Sequence, residues 1–206
     1  MSKPLHLLLV EDSEDDALLV VRELTNGGYA VTRERVATAE AMRAALARGQ
    51  WDLVICDYQM PRFNGPEAMK LFREAAVDIP FIVVSGTIGE DVAVAMLKAG
   101  ADDYLMKGRL ARLVPAVERE LREAGERRVR RLMEAELIAS ESRYRRLFEA
   151  SRDGILILNA DTGVIVDANP FLIDRLGLAR EHLVGRRLWE IASFQSLAAD
   201  PAAFAE

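Results

Sequence analysis

The chain has 206 residues, enough for one large or two small domains with a sizeable core; half are apolar and 29% are charged, as in an ordinary soluble globular protein. A net charge of −6 gives no basic surface to advertise nucleic-acid binding, and no apolar run reaches membrane-spanning length. The lone cysteine, Cys56, excludes an internal disulfide and suits a reducing compartment, so a cytoplasmic location is expected, with no membrane and no nucleic acid among the partners.

Leu5 to Val10 reads as a buried strand that ends on Glu11-Asp12. Ser13 then caps a helix whose first turn is crowded with Glu14, Asp15 and Asp16, where the helix dipole favours negative charge. Gly27-Gly28 ends that helix, and Tyr29 to Val36 alternates as an edge strand would. Thr38 caps an alanine-rich helix closed by Gly49. Leu53-Val54-Ile55-Cys56 is apolar throughout, which predicts a strand buried on both faces, and it stops on Asp57. A loop through Gly65-Pro66 leads to a helix reaching about Ala75. Phe81 to Val84 is a fourth buried strand ending on Ser85, and Gly86 to Gly89 is a loop. A helix from Glu90 to Ala99 follows, then a short fifth strand, Asp103 to Met106, ending on Lys107.

Strands alternating with helices predict right-handed crossovers and a doubly wound parallel sheet. In such sheets ligands gather at the carboxyl ends of the strands. Four of the five strands end there on polar groups: Glu11-Asp12, Asp57, Ser85 and Lys107. Three carboxylates packed together repel one another unless a cation intervenes, and oxygen ligands with room for water suit Mg²⁺. The backbone carbonyl of Gln59 is a further candidate ligand. Beside such an ion Asp57 can attack phosphorus, with Lys107 balancing the phosphoryl charge and Ser85 bonding one of its oxygens.

Glu11-Asp12, Asp57 with Met60-Pro61, Ser85, Tyr104 and Lys107, in this order and spacing, resemble the receiver domain of two-component response regulators. The resemblance covers roughly residues 1–122. It implies a flavodoxin-like fold with strand order 2-1-3-4-5, for which a chemotaxis receiver is a standing example. It also implies a phosphoacceptor role for Asp57, served by a partner histidine kinase or phosphotransfer protein. Glu11, Asp12 and the carbonyl of Gln59 would then hold Mg²⁺ with Asp57, and Lys107 and Ser85 would contact the phosphate. Ser85 with Tyr104 would form the conformational switch, while Gln59 and Thr87 would tune dephosphorylation. The lysine is commonly followed in this family by a cis proline, whereas here Gly108 follows.

From Leu110 to Glu149 a helical pattern continues for roughly 60 Å at 1.5 Å per residue. Leu113, Val117, Leu121 and Ala124 continue one apolar stripe along it, which Gly125 and a basic run through Arg131 interrupt. Met133, Leu137, Ser140, Tyr144 and Leu147 recur at four-three-four-three spacing, which predicts a coiled-coil seam and a parallel homodimer through this linker, residues 110–150. A solvated, salt-bridged helix is the competing reading.

Asp153 to Asn159 and Val164 to Ala168 read as two strands joined by a turn at Asp161-Thr162-Gly163, and Asn169-Pro170 opens a helix ending near Gly177. With Tyr144 to Glu149 ahead of it, this stretch resembles the start of a PAS sensor domain, residues 141–206. Only two of the family's five strands fit, so a truncated, loosely packed or dimer-stabilised α+β fragment of a longer protein is expected. His6 and His182 lie in no kinase phosphoacceptor motif, and no output enzyme is legible. Three alternatives use the same residues. They are a pseudo-receiver that acts as a dimerisation scaffold, the N-terminal part of a hybrid histidine kinase, and a metal-dependent phosphatase. Such phosphatases usually carry a second acid where Gln59 stands.

Overall fold

The computed structural model describes residues 2–86 and 89–194. Two compact units divide the chain, residues 1–131 and 132–206. In the first, β1 (Lys3–Val10), β2 (Tyr29–Val36), β3 (Leu53–Asp57), β4 (Phe81–Ser85) and β5 (Asp103–Met106) form one parallel sheet. Its order is β2-β1-β3-β4-β5, the flavodoxin-like order expected. All five residues of β3 and of β4 are buried, as their unbroken apolar runs require. Strand β2 pairs only with β1 and alternates in burial, the signature of an edge.

Strand alternation sends successive side chains to opposite faces, and each face has its own core. On one face Leu7, Leu9, Leu53, Ile55, Ile82, Val84 and Leu105 pack under α1 (Glu14–Asn26) and α5 (Leu113–Ala150). Leu8, Val10, Val54, Cys56, Phe81 and Val83 face the other way, under α2 (Ala39–Arg48), α3 (Gly65–Glu74) and α4 (Glu90–Ala99). The caps follow the sequence: Ser13, Thr38 and Asn64 each accept an N–H of the first turn, and Asn64 with Glu67 completes a capping box.

A 3-10 turn, Lys107–Arg112, precedes α5, so the long helix begins at Leu113 rather than Leu110. It then runs 38 residues, through Gly125, while its buried apolar stripe against the receiver stops at Ala124, where the sequence places the interruption. One glycine costs a helix interior only about 1 kcal/mol relative to alanine, too little to break a helix held by packing. Among the described residues every peptide bond is trans, including Lys107–Gly108. No helix among them is long and apolar enough to cross a membrane.

In the second unit β6 (Leu156–Leu158) and β7 (Ile165–Ala168) pair antiparallel, followed by α6 (Pro170–Leu176) and α7 (Arg180–Leu183). Both strands are shorter than the sequence suggests. A small core closes over them, formed by Ile165, Ala168, Leu183, Leu188 and Ile191. Its polar centre is Asn169, which is fully buried. The Asn169 side-chain oxygen accepts the N–H groups of Ile155 (2.9 Å) and Leu172 (3.0 Å). Its amide donates to the carbonyls of Phe148 (3.1 Å) and Asp153 (2.9 Å). One side chain thus fastens the end of α5, the entry to β6 and the start of α6.

Candidate functional site

Glu11, Asp57 and Lys107 each stand two residues beyond a side chain buried under α1 and α5, namely Leu9, Ile55 and Leu105. Alternation therefore delivers all three to the same side of the sheet's carboxyl edge. One carboxylate oxygen from each of Glu11, Asp12 and Asp57 lies within 4.8 Å of the others. Glu11 and Asp57 are buried and Asp12 is exposed. The ammonium of Lys107 donates to Glu11 Oε2 at 3.0 Å and to Asp57 Oδ2 at 3.0 Å. Its third contact is the carboxylate of Asp16.

Backbone groups complete the frame. The N–H of Ser13 donates to Glu11 Oε1 (3.1 Å), and that of Gln59 donates to Asp57 Oδ1 (3.2 Å). Beyond Asp57 the chain folds back so tightly that Gly65 donates its N–H to the carbonyl of Tyr58. A side chain at Gly65 would meet the Cα of Tyr58 at 3.1 Å, tighter than most contacts of a Cβ, so the close approach favours glycine. On the outer side, Arg35 Nη1 donates to the carbonyls of Glu11 (3.0 Å) and Asp12 (3.1 Å), while its Nε donates to Glu14 (2.8 Å). The guanidinium fork thereby fixes the backbone that carries two of the acids.

Electrostatically the site is short of positive charge. Burial pushes the Glu11 carboxyl above its ordinary value, opposed by Lys107 and the Ser13 N–H and reinforced by the charge on Asp57. Burial pulls the Lys107 ammonium down, but the three carboxylates outweigh it and hold the proton more firmly than usual. Three carboxylates thus share one ammonium, with a fourth, Asp12, clustered beside Glu11 and Asp57. Hard oxygen donors, two buried and one at the solvent boundary, fit a small divalent cation that keeps part of its water shell.

Ser85 and Tyr104 belong to the opposite face. Ser85 stands two residues past Val83 and is fully buried, and Tyr104 packs against the core that contains Val83. Their strands are paired in register, Val83 with Tyr104 and Ser85 with Met106. Beside Tyr104 a cleft of about 180 Å³ is lined by Gly89, Ala93, Met106, Arg109 and Arg112. Thr87 lies outside the described residues.

A model of the response regulator receiver domain matches residues 7–118, more than half of the chain. The chain belongs to the response regulator receiver family. A PAS-domain model matches residues 142–205. Among curated relatives, the transcriptional regulatory protein PrrA of Mycobacterium tuberculosis is 37% identical over 120 residues, 58% of this chain and 51% of PrrA. The response regulator SaeR of Staphylococcus aureus is 31% identical over 102 residues, 50% of this chain and 43% of SaeR. Among solved structures, FixJ-N superposes with a TM-score of 0.51 at 28% identity, covering 57% of this chain and 94% of that one. This receiver chain thus spans about half the length of the curated relatives it matches.

The strand-end residues of this receiver were legible from sequence; Asp16 and Arg35 were not. Asp16 has a ready alternative role at a helix N-terminus, and Arg35 reads as a solvent-facing residue of an edge strand. The register of the first two strands sets Arg35 opposite Leu9, two residues before Glu11, and nothing in the local sequence records that register.

Proposed function

We propose that the protein is a phosphoacceptor in two-component signalling, phosphorylated on Asp57 by a partner histidine kinase or phosphotransfer protein. The observation that carries this reading is the meeting of Asp57 with Glu11 and Asp12, within 4.8 Å, and with Lys107 at 3.0 Å. A carboxylate oxygen of Asp57 forms the new bond to phosphorus, and the phosphorus–nitrogen bond of the donor breaks. The departing imidazole keeps the electron pair.

Glu11, Asp12, Asp57 and the carbonyl of Gln59 would hold Mg²⁺, which would offset the negative charge that gathers on the phosphoryl group. Lys107 would pair with a phosphoryl oxygen once it is in place. Ser85 would hydrogen-bond another, drawing the end of β4 and changing the space open to Tyr104. Gln59 and Thr87 would govern access of the water that later removes the phosphate.

The receiver (1–122) would act through the linker (110–150) on the PAS segment (141–206). Two copies would pair in parallel along Met133, Leu137, Ser140, Tyr144 and Leu147, whose spacing is that of a coiled-coil seam. Cytoplasmic placement belongs to the same reading and agrees with a lone free cysteine, Cys56. Any output activity would belong to a further part of the protein.

Intact-mass measurement after exposure to acetyl phosphate is the test. Wild type should gain one phosphoryl group only with Mg²⁺ present, and Asp57→Asn should gain none. Equal labelling of the two, or labelling of wild type without a divalent cation, would overturn the assignment.

A further inference from the structure

Two of the three clustered acids have carboxylates held by protein donors. Glu11 accepts from Lys107 and the Ser13 N–H, and Asp57 from Lys107 and the Gln59 N–H. The third, Asp12, is exposed, and among the described residues its carboxylate has neither a hydrogen bond nor an ion pair. What aims it is its backbone. The torsions on either side of the Asp12 Cα are set by two peptide planes, one carrying the Glu11 carbonyl and the other the Asp12 carbonyl. Both carbonyls accept from a single nitrogen, Nη1 of Arg35, at 3.0 and 3.1 Å. Two planes tied to one rigid group do not turn independently, so the direction of the Asp12 side chain is fixed from the neighbouring strand. The fork is anchored in turn, because its Nε donates to Glu14 at 2.8 Å.

We infer that Arg35 is a positioning residue for Asp12, and that it thereby raises the affinity of the acidic cluster for Mg²⁺. The inference rests on the reading that Glu11, Asp12 and Asp57 hold that ion. Removing Arg35 has two opposed consequences. Loss of a positive charge near the cluster favours a second cation, whereas loss of the fork frees both peptide planes beside Asp12. The second consequence is the larger, because the Glu14 carboxylate already offsets the charge of Arg35 and no other group holds Asp12. Arg33 separates the two. It stands two residues earlier on β2, carries the same charge and pairs with the same Glu14, but among the described residues it bonds neither carbonyl.

The experiment titrates the full chain with Mg²⁺ alone and follows the backbone amide of Gln59 by NMR. Arg35→Met should bind Mg²⁺ about tenfold more weakly than wild type, the low end for loss of a group that orients a metal ligand. Arg35→Lys, which keeps the charge without the fork, should be weakened to a similar extent. Arg33→Met should bind as tightly as wild type or slightly more so. In Mg²⁺-free protein the amide signals of Asp12 and Ser13 should move further in Arg35→Met than in Arg33→Met. Melting temperatures matched between those two variants would separate the effect from a fold defect; should Arg35→Met fail to fold, Arg35→Lys carries the comparison. Wild-type affinity in Arg35→Met or in Arg35→Lys overturns the inference, as does an equal loss in Arg33→Met. A wild type that binds no Mg²⁺ overturns the metal reading of the three acids, and the role of Arg35 with it.

Discussion

The 38 residues of α5 divide at Arg131 into two halves that differ in what they touch rather than in their fitness for helix. In the first half Leu113, Ala116, Val117 and Ala124 are buried, the first three in the receiver core. Ion pairs hold the same half: Arg119 to Asp103 (2.5 Å), Arg131 to Asp78 (2.9 Å), and Arg127 at 3.8 Å from both Asp78 and Asp102. In the second half Met133, Leu137, Ile138 and Leu147 are each about two-thirds exposed. Among the described residues its ion pair is local, Glu141 to Arg145 one turn away. Apolar content alone therefore does not say where a helix is docked. The first half belongs to a domain core, while most of the second, Phe148 apart, leaves its apolar side chains exposed.

The same substitution in each half tests that contrast most sharply. Leu113→Ala should cost the receiver about 2–5 kcal/mol, because the cavity lies in a packed core. Leu137→Ala should stay within about 0.5 kcal/mol when monomer is measured, as for an exposed site. Urea unfolding of both variants in dilute solution is the check, and similar losses would erase the distinction between the halves.

Association is the next largest effect. Wild type should sediment as a dimer at tens of micromolar, and Leu137→Asp with Leu147→Asp should weaken pairing at least about a hundredfold. Each buried leucine contributes about 1.5–3 kcal/mol, so losing two of them suffices for that. A monomeric wild type, or a double variant that pairs equally well, would return the second half to a solvated spacer.

The ion pairs of the first half should matter less. Arg127→Ala with Arg131→Ala is expected to cost the receiver about 1 kcal/mol or less, and the difference should shrink in about 1 M salt. A cost unaffected by salt would mean that these arginines act through the packing of their stems.

The smallest effect concerns pH. Burial holds the Asp102 carboxyl above its ordinary value of 3.8, opposed by the Phe81 N–H, which donates to it at 2.8 Å, and by Arg127. Glu123 and Asp78 add to the upward shift. A carboxyl raised on folding gives its full stabilisation below the unfolded value and loses it as pH rises through the folded one. Wild type should therefore lose a little stability just above pH 3.8, and Asp102→Asn should lack that component. Urea midpoints from about pH 4 to about pH 7 would show it. An unchanged slope in the variant would remove Asp102 from the account.

Much of the receiver was legible because β3 and β4 are apolar at every position before their terminal polar residue, a pattern that fits few structures besides a doubly wound sheet. The positions of Glu11, Asp57 and Lys107 followed from the ends of β1, β3 and β5. Asp16 stayed hidden because a first-turn acid already has a reason to be there, and its partner lies 91 residues away. The interruption of the apolar stripe at Gly125 was legible too, because glycine and a basic run have nothing to bury, and Ala124 is the last buried residue of the receiver half of α5. Asn169 was legible as a helix cap, but its bonds to Phe148 and Asp153 depend on where other segments return, and no local pattern records that.

The division of site residues between the two faces of the sheet also bears on how the sequence can change in length. Glu11, Asp57 and Lys107 share one side of the edge because each stands an even number of residues past an inward-facing neighbour. Inserting or deleting a single residue within β3 or β5 would reverse that parity and send the carboxylate or the ammonium to the side now held by Ser85 and Tyr104. The same one-residue change in the loop between α2 and β3 would leave every parity intact. Length variation among sequences that keep this chemistry is therefore confined to the connections, and a gap falling inside β3 or β5 marks a chain in which this pocket is no longer assembled.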